Sequence, residues 1–555
     1  MKKFLVVCLC LVISSFAFTP HGNVYSRPRE QPRPLYVEDE ILIKVKDDAA
    51  QFELPEQIAE EILPARGAQV EPITKRQQIL PGLIRFKLNG QMTVEEAVQR
   101  AKADPRVEYA EPDYLLYAND TQPNDPYFKD MWGLSSVGCL LCQNNQTNPN
   151  INATRAWDIT TGSSDVVVAV LDTGVDVAHE DLAANIWTNP NEIAGNGLDD
   201  DGDGFIDDVN GWNFYDDDKG VFKKASDDSH GTHVAGIIGA EGNNGIGVTG
   251  VAWHVRLMSL KFLGGSKGSG STADAVAGIN YAIEQRKRGV NVRVINASWG
   301  GGGYSQSLRD AIAAAGQAGI LFVCAAGNDG EDVDQTPDYP AAYSKELSNT
   351  ISVAAIDAND AIASFSNYGH GTVSVAAPGQ SIISTLPGNS YGNFSGTSMA
   401  TPFVSGVAAL LWSREPQLTP AEVKQRIVST AEPTIALASR ILSSGRVNAY
   451  NALTNAAPQP HRPEIASVSI TKKDVTIDGL GFINGSAIIE VNGVPLSSIS
   501  YDDSYALANG TLTRLSVYLG KKTIRRMFPK GEQETFTIYN PTTGERSAQF
   551  KWARY

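Results

Sequence analysis

Three short segments carry an aspartate, a histidine and a serine among glycine, threonine and small apolar residues. They are Val170-Leu-Asp-Thr-Gly174, Asp228-Ser-His-Gly-Thr-His-Val-Ala-Gly236 and Ser395-Gly-Thr-Ser-Met-Ala-Thr-Pro402. A hydroxyl is a weak nucleophile until a base takes its proton, and an imidazole base needs a carboxylate to orient it. Asp172, His230 and Ser398 are of those three types. Gly396 leaves room for close backbone approach to Ser398, and amides at a helix start there can face a developing oxyanion. Taken singly, Asp172 reads as a strand-end turn residue and Ser398 as a helix cap. His230 and His233 could suggest zinc, but no third ligand stands nearby and the Glu of His-Glu-x-x-His is missing. His179 reads as a supporting histidine.

Elements must bring these segments together. Over residues 155–455, short all-apolar strands (166–171, 292–295, 319–324, 351–355) alternate with helical stretches such as 272–285 and 307–318. Uniformly apolar strands alternating with helices predict a doubly wound parallel α/β sheet covered on both faces. Such sheets collect reacting groups at strand carboxyl ends and adjacent helix starts. Ahead of this region, residues 36–118 alternate as β-α-β-β-α-β, a small α+β module of the split βαβ, ferredoxin-like pattern, with Thr93 as N-cap of its second helix. Behind it, the Pro-rich stretch 457–463 leads into residues 464–555, which read as strand only, with Asn484-Gly485 and Asn492-Gly493 turns, an all-β sandwich.

With 555 residues the chain is long enough for several domains. A formal charge of −16 argues against a polyanion-binding role and for no nucleic-acid partner. Met1-Lys2-Lys3, the apolar run Phe4–Phe16 and Ser15-Phe16-Ala17 read as a signal peptide over 1–17, followed by an extended linker over 18–35. The run is short for a membrane span, so a secreted, soluble mature protein without a membrane span is expected. Beyond residue 17 the cysteines are Cys139, Cys142 and Cys324. The first two could close a small disulfide loop, and Cys324 reads as a small buried hydrophobe.

Asp172-Thr-Gly174, His230-Gly-Thr-His-Val-Ala-Gly236 and Gly396-Thr-Ser-Met-Ala-Thr-Pro402, in that order, resemble the three signatures of subtilisin-like serine proteases, the subtilases, and of their thermitase-like branch in particular. Tyr339-Pro-Ala, Ala377-Pro-Gly379 and Gly445-Arg-Val-Asn-Ala-Tyr450 extend the likeness, and a catalytic domain over 119–456 is expected. The resemblance implies that Ser398 is the nucleophile, His230 the general base and then acid, and Asp172 its orienting carboxylate. Ala325-Ala-Gly-Asn328 matches the oxyanion segment, which makes Asn328 an oxyanion donor. Gly268-Ser269-Gly270 and Ser298-Trp299-Gly300 resemble the segments that hold an extended substrate backbone by strand addition. By alignment Asp329 and Asp338 fall near the pocket for the residue before the scissile bond, and a basic or a broad preference both stay open.

Calcium is the implied cofactor. Asp125, Asp181 and Asn244, with carbonyls of Glu241, Ile246 and Val248, match a family calcium site. A second loop, Asp199-x-Asp201-x-Asp203-Gly204-x-Ile206-Asp207, has EF-hand oxygen spacing, but Asn210 stands where a bidentate Glu is needed. It is similar to calcium-binding insertions of several subtilases, and so many adjacent carboxylates would repel without a cation.

Residues 36–118 resemble a subtilase propeptide that inhibits its own enzyme. Stretches 463–468, 475–482, 489–493 and 539–544 resemble an immunoglobulin-like IPT/TIG domain, whose partner could be a surface, a glycan or a protein. The expectation is a secreted, calcium-dependent serine endopeptidase acting on polypeptides, made as a self-processing zymogen. The rival reading is a catalytically silent scaffold displaying the sandwich.

Overall fold

The structure is a computed structural model that describes residues 36–46, 55–63, 69–71, 83–88, 92–114, 121–135, 149–265 and 267–554. The expected signal, the linker, Cys139, Cys142 and the end of the propeptide lie outside the described residues. The chain divides into two compact units, Met1–Asn119 and Asp120–Tyr555.

The first unit runs β1 (Tyr36–Val45), α1 (Pro55–Ile62), β2 (Gln69–Glu71), β3 (Leu83–Lys87), α2 (Val94–Lys102) and β4 (Val107–Tyr114). Its sheet has the order β2-β3-β1-β4, with antiparallel neighbours. Alternation in the strands buries Ile41, Ile43, Ile84 and Phe86 with Val94, Ala97, Val98 and Ala101 of α2. Thr93 caps α2 in a reciprocal box: its Oγ1 accepts the Glu96 N–H at 3.2 Å, and Glu96 Oε2 accepts the Thr93 N–H at 3.0 Å.

The second unit begins with α3 (Ala153–Trp157), β5 (Gly162–Asp172), β6 (Gly211–Asn213), α4 (Ala225–Gly239), β7 (His254–Lys261), α5 (Thr272–Lys287), β8 (Val292–Ala297), α6 (Gln306–Gln317), β9 (Leu321–Ala325), β10 (Thr350–Ile356) and β11 (Val375–Pro378). It continues through a hairpin, β12 (Ile382–Leu386) and β13 (Ser390–Phe394), then α7 (Thr397–Arg414), α8 (Pro420–Ser429), β14 (Glu432–Pro433), β15 (Gly445–Arg446) and α9 (Ala449–Thr454). A nine-stranded sheet has the order β14-β15-β11-β10-β9-β8-β5-β7-β6, parallel except for β14 against β15. Because side chains alternate along a strand, Val166, Val168 and Val170 of β5 enter the core layer containing α4 and α7. Val167, Ala169 and Leu171 enter the opposite layer, against α5 and α6. Helix α7 is apolar all round and buried from Met399 to Trp412, as a central helix must be.

The chain then forms β16 (Glu464–Ile470), β17 (Asp474–Ile483), β18 (Ile488–Val491), β19 (Val494–Pro495), β20 (Ile499–Tyr501), β21 (Thr511–Tyr518), α10 (Gly520–Met527), β22 (Gln533–Asn540), β23 (Glu545–Arg546) and β24 (Phe550–Ala553). Two sheets, one of β16, β17, β21 and β20 and one of β19, β18, β22, β23 and β24, enclose a core around Phe482, Leu515, Phe528 and Phe536. Helix α10 corrects the expectation of strands only. It sinks Ile524 into the core and leaves Lys521, Lys522, Arg525 and Arg526 outside, a helical period hidden in a charged run. Asn492-Gly493, at φ 49° and 78°, closes the β18–β19 hairpin. Asn484-Gly485 instead carries the chain from one sheet to the other.

Candidate active site

Parallel strands deliver their carboxyl ends to one edge of the sheet, and the candidate catalytic residues gather there. Asp172 is the last residue of β5, fully buried, and pairs in register with Lys261 at the end of β7. Its Oδ1 accepts the Thr173 N–H at 2.7 Å and lies 2.7 Å from His230 Nδ1. His230 stands more than a turn inside α4, with 32% of its side chain exposed. Burial alone would lower its pKa; the charge and hydrogen bond of Asp172 more than offset this and raise it.

Ser398 is the second residue of α7, where the helix dipole favours developing negative charge. Its placement depends on Pro402. A proline has no N–H for the carbonyl four residues earlier, which leaves the Ser398 carbonyl free. Ser298 Oγ donates to that carbonyl at 2.8 Å, and Ser398 Oγ donates back to the Ser298 carbonyl at 3.0 Å. The two serines clasp β8's exit to the start of α7.

Asn328 follows β9. Its Oδ1 accepts both the Thr397 N–H (2.8 Å) and the Thr397 hydroxyl (3.0 Å), which aims Nδ2 away from the helix. A Cβ built on Gly396 would lie 3.6 Å from Ser398 N and 3.8 Å from Asn328 Nδ2. Asn328 Oδ1 lies at the same 3.8 Å, so the Ser398 nitrogen and the Asn328 amide border one small volume that a side chain at 396 would enter.

With this geometry in view, the comparisons with known proteins are decisive. The profile of the subtilase family matches residues 163–477, more than half of the chain. The chain belongs to the subtilase family. A fervidolysin-type N-terminal prodomain matches residues 24–113, starting inside the stretch expected as linker. A thermophilic serine proteinase of Bacillus sp. (strain AK1) is 36% identical over 420 residues, 76% of this chain and 88% of the relative. Thermitase of Thermoactinomyces vulgaris is 37% identical over 332 residues, 60% of this chain and 99% of thermitase. An extracellular protease of Xanthomonas campestris pv. campestris is 35% identical, over 76% of this chain and 72% of the relative. A solved structure of proteases from Pseudoalteromonas arctica PAMC 21717 is 32% identical, covering 61% of this chain and 100% of that one at a TM-score of 0.47. This subtilase is a serine-type endopeptidase with a prodomain.

Around the subtilase site, Ser298 is buried and Trp299 Nε1 donates to the Leu171 carbonyl at 2.9 Å, one residue from Asp172. Gly268, Ser269 and Gly270 are exposed on a turn bridged from Ser269 to Gly264. Gly270 passes so close to Phe262 that a Cβ would lie 2.1 Å from its carbonyl oxygen. Asp329 is exposed beside Asn328, whereas Asp338 is half-buried with Oδ1 accepting the Gly301 N–H at 3.0 Å. Sequence reasoning missed the support beneath the site. Lys261 Nζ pairs with the buried Asp228 at 2.7 Å and also donates to the Thr173 and Leu263 carbonyls. It missed Thr397 as well. A lysine closing an apolar strand was the available signal.

Two acidic groups could hold cations. In the first, Asp125 and Asp181 are buried; Asp125 accepts the Asn243 N–H at 2.7 Å, and Asp181 accepts Asn244 Nδ2 and the Val248 N–H at 2.9 Å each. The loop from Glu241 through Ile246 to Val248 therefore wraps both carboxylates. Burial, with the Asp125 charge added, pushes Asp181 up to about 6. In the second, Asp199, Asp201 and Asp203 converge with ligand oxygens within 4.8 Å of one another, and Glu192, Asp201 and Asp208 do the same. Asp207 is not brought to either group. It sits at φ 56° with its carboxylate on the N–H groups of Gly195, Asn196 and Gly197 and on Lys219 Nζ at 2.6 Å. Burial, with the charges of Asp203 and Asp201, pushes Asp208 up to about 7. Among the described residues, no helix is long and apolar enough to cross a membrane.

Proposed function

We propose that this protein is a secreted, calcium-dependent subtilisin-like endopeptidase, made as a zymogen that cuts away its own prodomain. The observation that carries the catalytic reading is the 2.7 Å link between His230 Nδ1 and the buried Asp172 carboxylate. That bond fixes the tautomer with Nε2 free to act as base. Ser398 turns its hydroxyl from the Ser298 carbonyl to His230 Nε2, gives up its proton and attacks the scissile carbonyl. The oxyanion is received by the Ser398 N–H and Asn328 Nδ2. His230 then protonates the leaving amine, and water hydrolyses the acyl-enzyme by the reverse proton path. Substrate backbone lies between segments 268–270 and 298–300, where main-chain hydrogen bonds accept any sequence.

Calcium suits the donor chemistry, because carboxylates forced together and desolvated are stabilised by a dication. Asp125, Asp181, Asn244 and the carbonyls of Glu241, Ile246 and Val248 would hold one ion. Asp199, Asp201 and Asp203, with Glu192 and Asp208 sharing Asp201, would hold cation at the other loop. Such ions supply rigidity, not chemistry. The first unit is read as the inhibitory, ferredoxin-like propeptide, and residues 464–555 as an immunoglobulin-like accessory module. A silent scaffold would have no need of Asp172, His230, Ser398 and Asn328 together.

The test is a mass-spectrometric time course of wild type and Ser398→Ala, each with calcium and with chelator. Wild type is expected to lose about the first 120 residues with calcium present. Ser398→Ala stays full length. If both remain intact and neither cleaves an unfolded protein, the scaffold reading replaces this one.

A further inference from the structure

We infer that the basic outer face of α10, in the C-terminal sandwich, is a docking surface for an acidic polysaccharide whose sugars carry carboxylate or sulfate groups. The inference goes beyond the proposed protease reading and does not depend on it.

The chain-wide charge of −16 conceals an uneven distribution. Residues 464–555 hold eleven Lys and Arg against nine Asp and Glu, a net charge of +2, which leaves −18 on the other 463 residues. Within the sandwich the cations are concentrated further. Lys521, Lys522, Arg525 and Arg526 are all exposed on α10, at sequence spacings that place them on one face. At the start of the helix, the Lys473 carbonyl accepts the Leu519 and Gly520 N–H groups at 2.9 and 3.0 Å, which sets the exposed Lys472-Lys473 turn beside it. Lys530, also exposed, follows just past the helix end. Among the described residues, none of these seven cations forms an ion pair. Four acids of the sandwich are engaged elsewhere: Asp478 by Arg514 Nε at 2.6 Å, Glu490 by Arg546, Glu534 by Asn492, and Asp474 by the Thr471 hydroxyl at 3.0 Å.

Helix stability alone does not select this pattern. Lys521 and Arg525 repel each other four residues apart, as do Lys522 and Arg526. Lys521 and Lys522 also stand in the first turn, where the helix dipole disfavours cations. An anionic chain laid along the face relieves both conflicts. A bilayer fits less well, because Ile524 and Phe528 are buried in the core and Leu519 and Met527 are half-buried. That leaves α10 no apolar face to enter a headgroup layer. A nucleic-acid duplex, charged about every 1.7 Å of its axis, is repelled by the acidic remainder of the chain more strongly than a sparsely charged glycan. The eight-residue helix is about 12 Å long, a short ladder of charges in a Lys/Arg-rich run of the kind that forms heparin-type patches. Its guanidinium groups match carboxylate-type oxygens in pairs. Tyr518, 65% exposed at the end of β21 and two residues before α10, adds a ring for a sugar face.

The experiment measures binding of full-length Ser398→Ala protein, chosen to prevent self-cleavage, to heparin, polygalacturonate and neutral dextran. At least one acidic polysaccharide should bind and dextran should not. Kd should rise about tenfold or more between 50 and 200 mM salt, because binding releases counterions. Lys521→Gln, Lys522→Gln, Arg525→Gln and Arg526→Gln combined should raise Kd about tenfold or more without lowering stability in urea. The pair Lys522→Gln and Arg526→Gln should give a smaller rise, a readout that survives if the fourfold variant fails to fold. Unchanged affinity in a folded fourfold variant, or no binding to either acidic polysaccharide at low salt, overturns the inference. Tighter binding to phosphatidylglycerol vesicles or to a DNA duplex than to both polysaccharides overturns the choice of partner. Salt-sensitive self-association that the fourfold variant loses, with no polysaccharide bound, overturns it in favour of a second copy of this chain. Peptide hydrolysis by the wild type is read separately, so none of these outcomes touches the protease reading.

Discussion

Ser398, the proposed nucleophile, shows how much of a side chain's geometry is set by its neighbours. Its hydroxyl and carbonyl are both engaged by Ser298, and the carbonyl is available only because Pro402 cannot donate to it. Thr397 acts in the same way on Asn328, taking the amide oxygen and leaving the nitrogen for the proposed oxyanion role. Asn328→Ala should therefore lower kcat by about 10²–10³-fold with little change in KM, because the lost donor acts only as charge develops. Its pH–rate profile should keep the wild-type midpoint, since the Asp172–His230 bond is untouched. A KM rise in place of the kcat loss would remove Asn328 from the oxyanion role. Ser398 stood out by type and order, and Asn328 came from the family resemblance; Ser298 as a clasp and Thr397 as a partner of Asn328 did not show in the sequence. Their contacts are side chain–backbone hydrogen bonds across 100 and 69 residues of chain.

At the scale of the element, α4 holds two histidines one turn apart in opposite electrostatic states. His230 reaches Asp172 and is raised. His233, fully buried and stacked on Phe394 at 4.5 Å, is pushed down to about 4, first by burial. A histidine whose folded pKa is depressed binds fewer protons folded than unfolded, so stability is lost as pH falls through the window between the two values. The shift from 6.5 to about 4 corresponds to about 3 kcal/mol, lost progressively as pH falls from about 6.5 to 4. Buried Asp181 and Asp208 act with the opposite sign, because their raised pKa values favour the folded state when protonated. Measuring His233→Gln against its parent, both in the Ser398→Ala background, isolates the histidine, and Gln keeps a donor for the Gly392 carbonyl that His233 Nε2 faces at 3.0 Å. Urea melts at pH 7 and pH 4.5 should show the parent losing more stability than His233→Gln. Equal losses would exclude a buried neutral His233. The histidine pair was visible as spacing, but only packing separates the proposed base from its buried neighbour.

For the whole second unit, long-range ties replace the covalent ones that three cysteines beyond residue 17 hardly provide. Cys324 is free and buried, with its thiol pKa raised by burial, so it behaves as a core side chain. The sandwich is fastened to the sheet region by Ser439, whose hydroxyl donates to the Thr513 carbonyl at 2.8 Å, and by His370 stacked on Tyr505 at 4.2 Å. The proposed cations would add a further tie. In the Ser398→Ala protein, calcium should raise the melting temperature, the gain corresponding to about 2.7 kcal/mol at a hundred times Kd for one site. Asp201→Asn, which touches both acidic groups of the second loop, should lose part of that gain, and Asp207→Asn should keep it. Equal losses would return Asp207 to the ligand set; no calcium effect at all would remove the ions from the proposal.

The sequence by itself determined the residue types and order of the proposed triad, the parallel sheet and the small module ahead of it, because apolar periodicity and short motifs are local signals. Helix α10 escaped because four cations on its exposed face mask a single buried isoleucine. What only the tertiary structure decided is pairing across the chain. It turned Asp207 to Lys219, brought Glu192 and Asp208 to Asp201, and sealed Lys261 against Asp228. Each of these depends on where a charge is desolvated and what stands beside it. Neither quantity exists until the chain has folded.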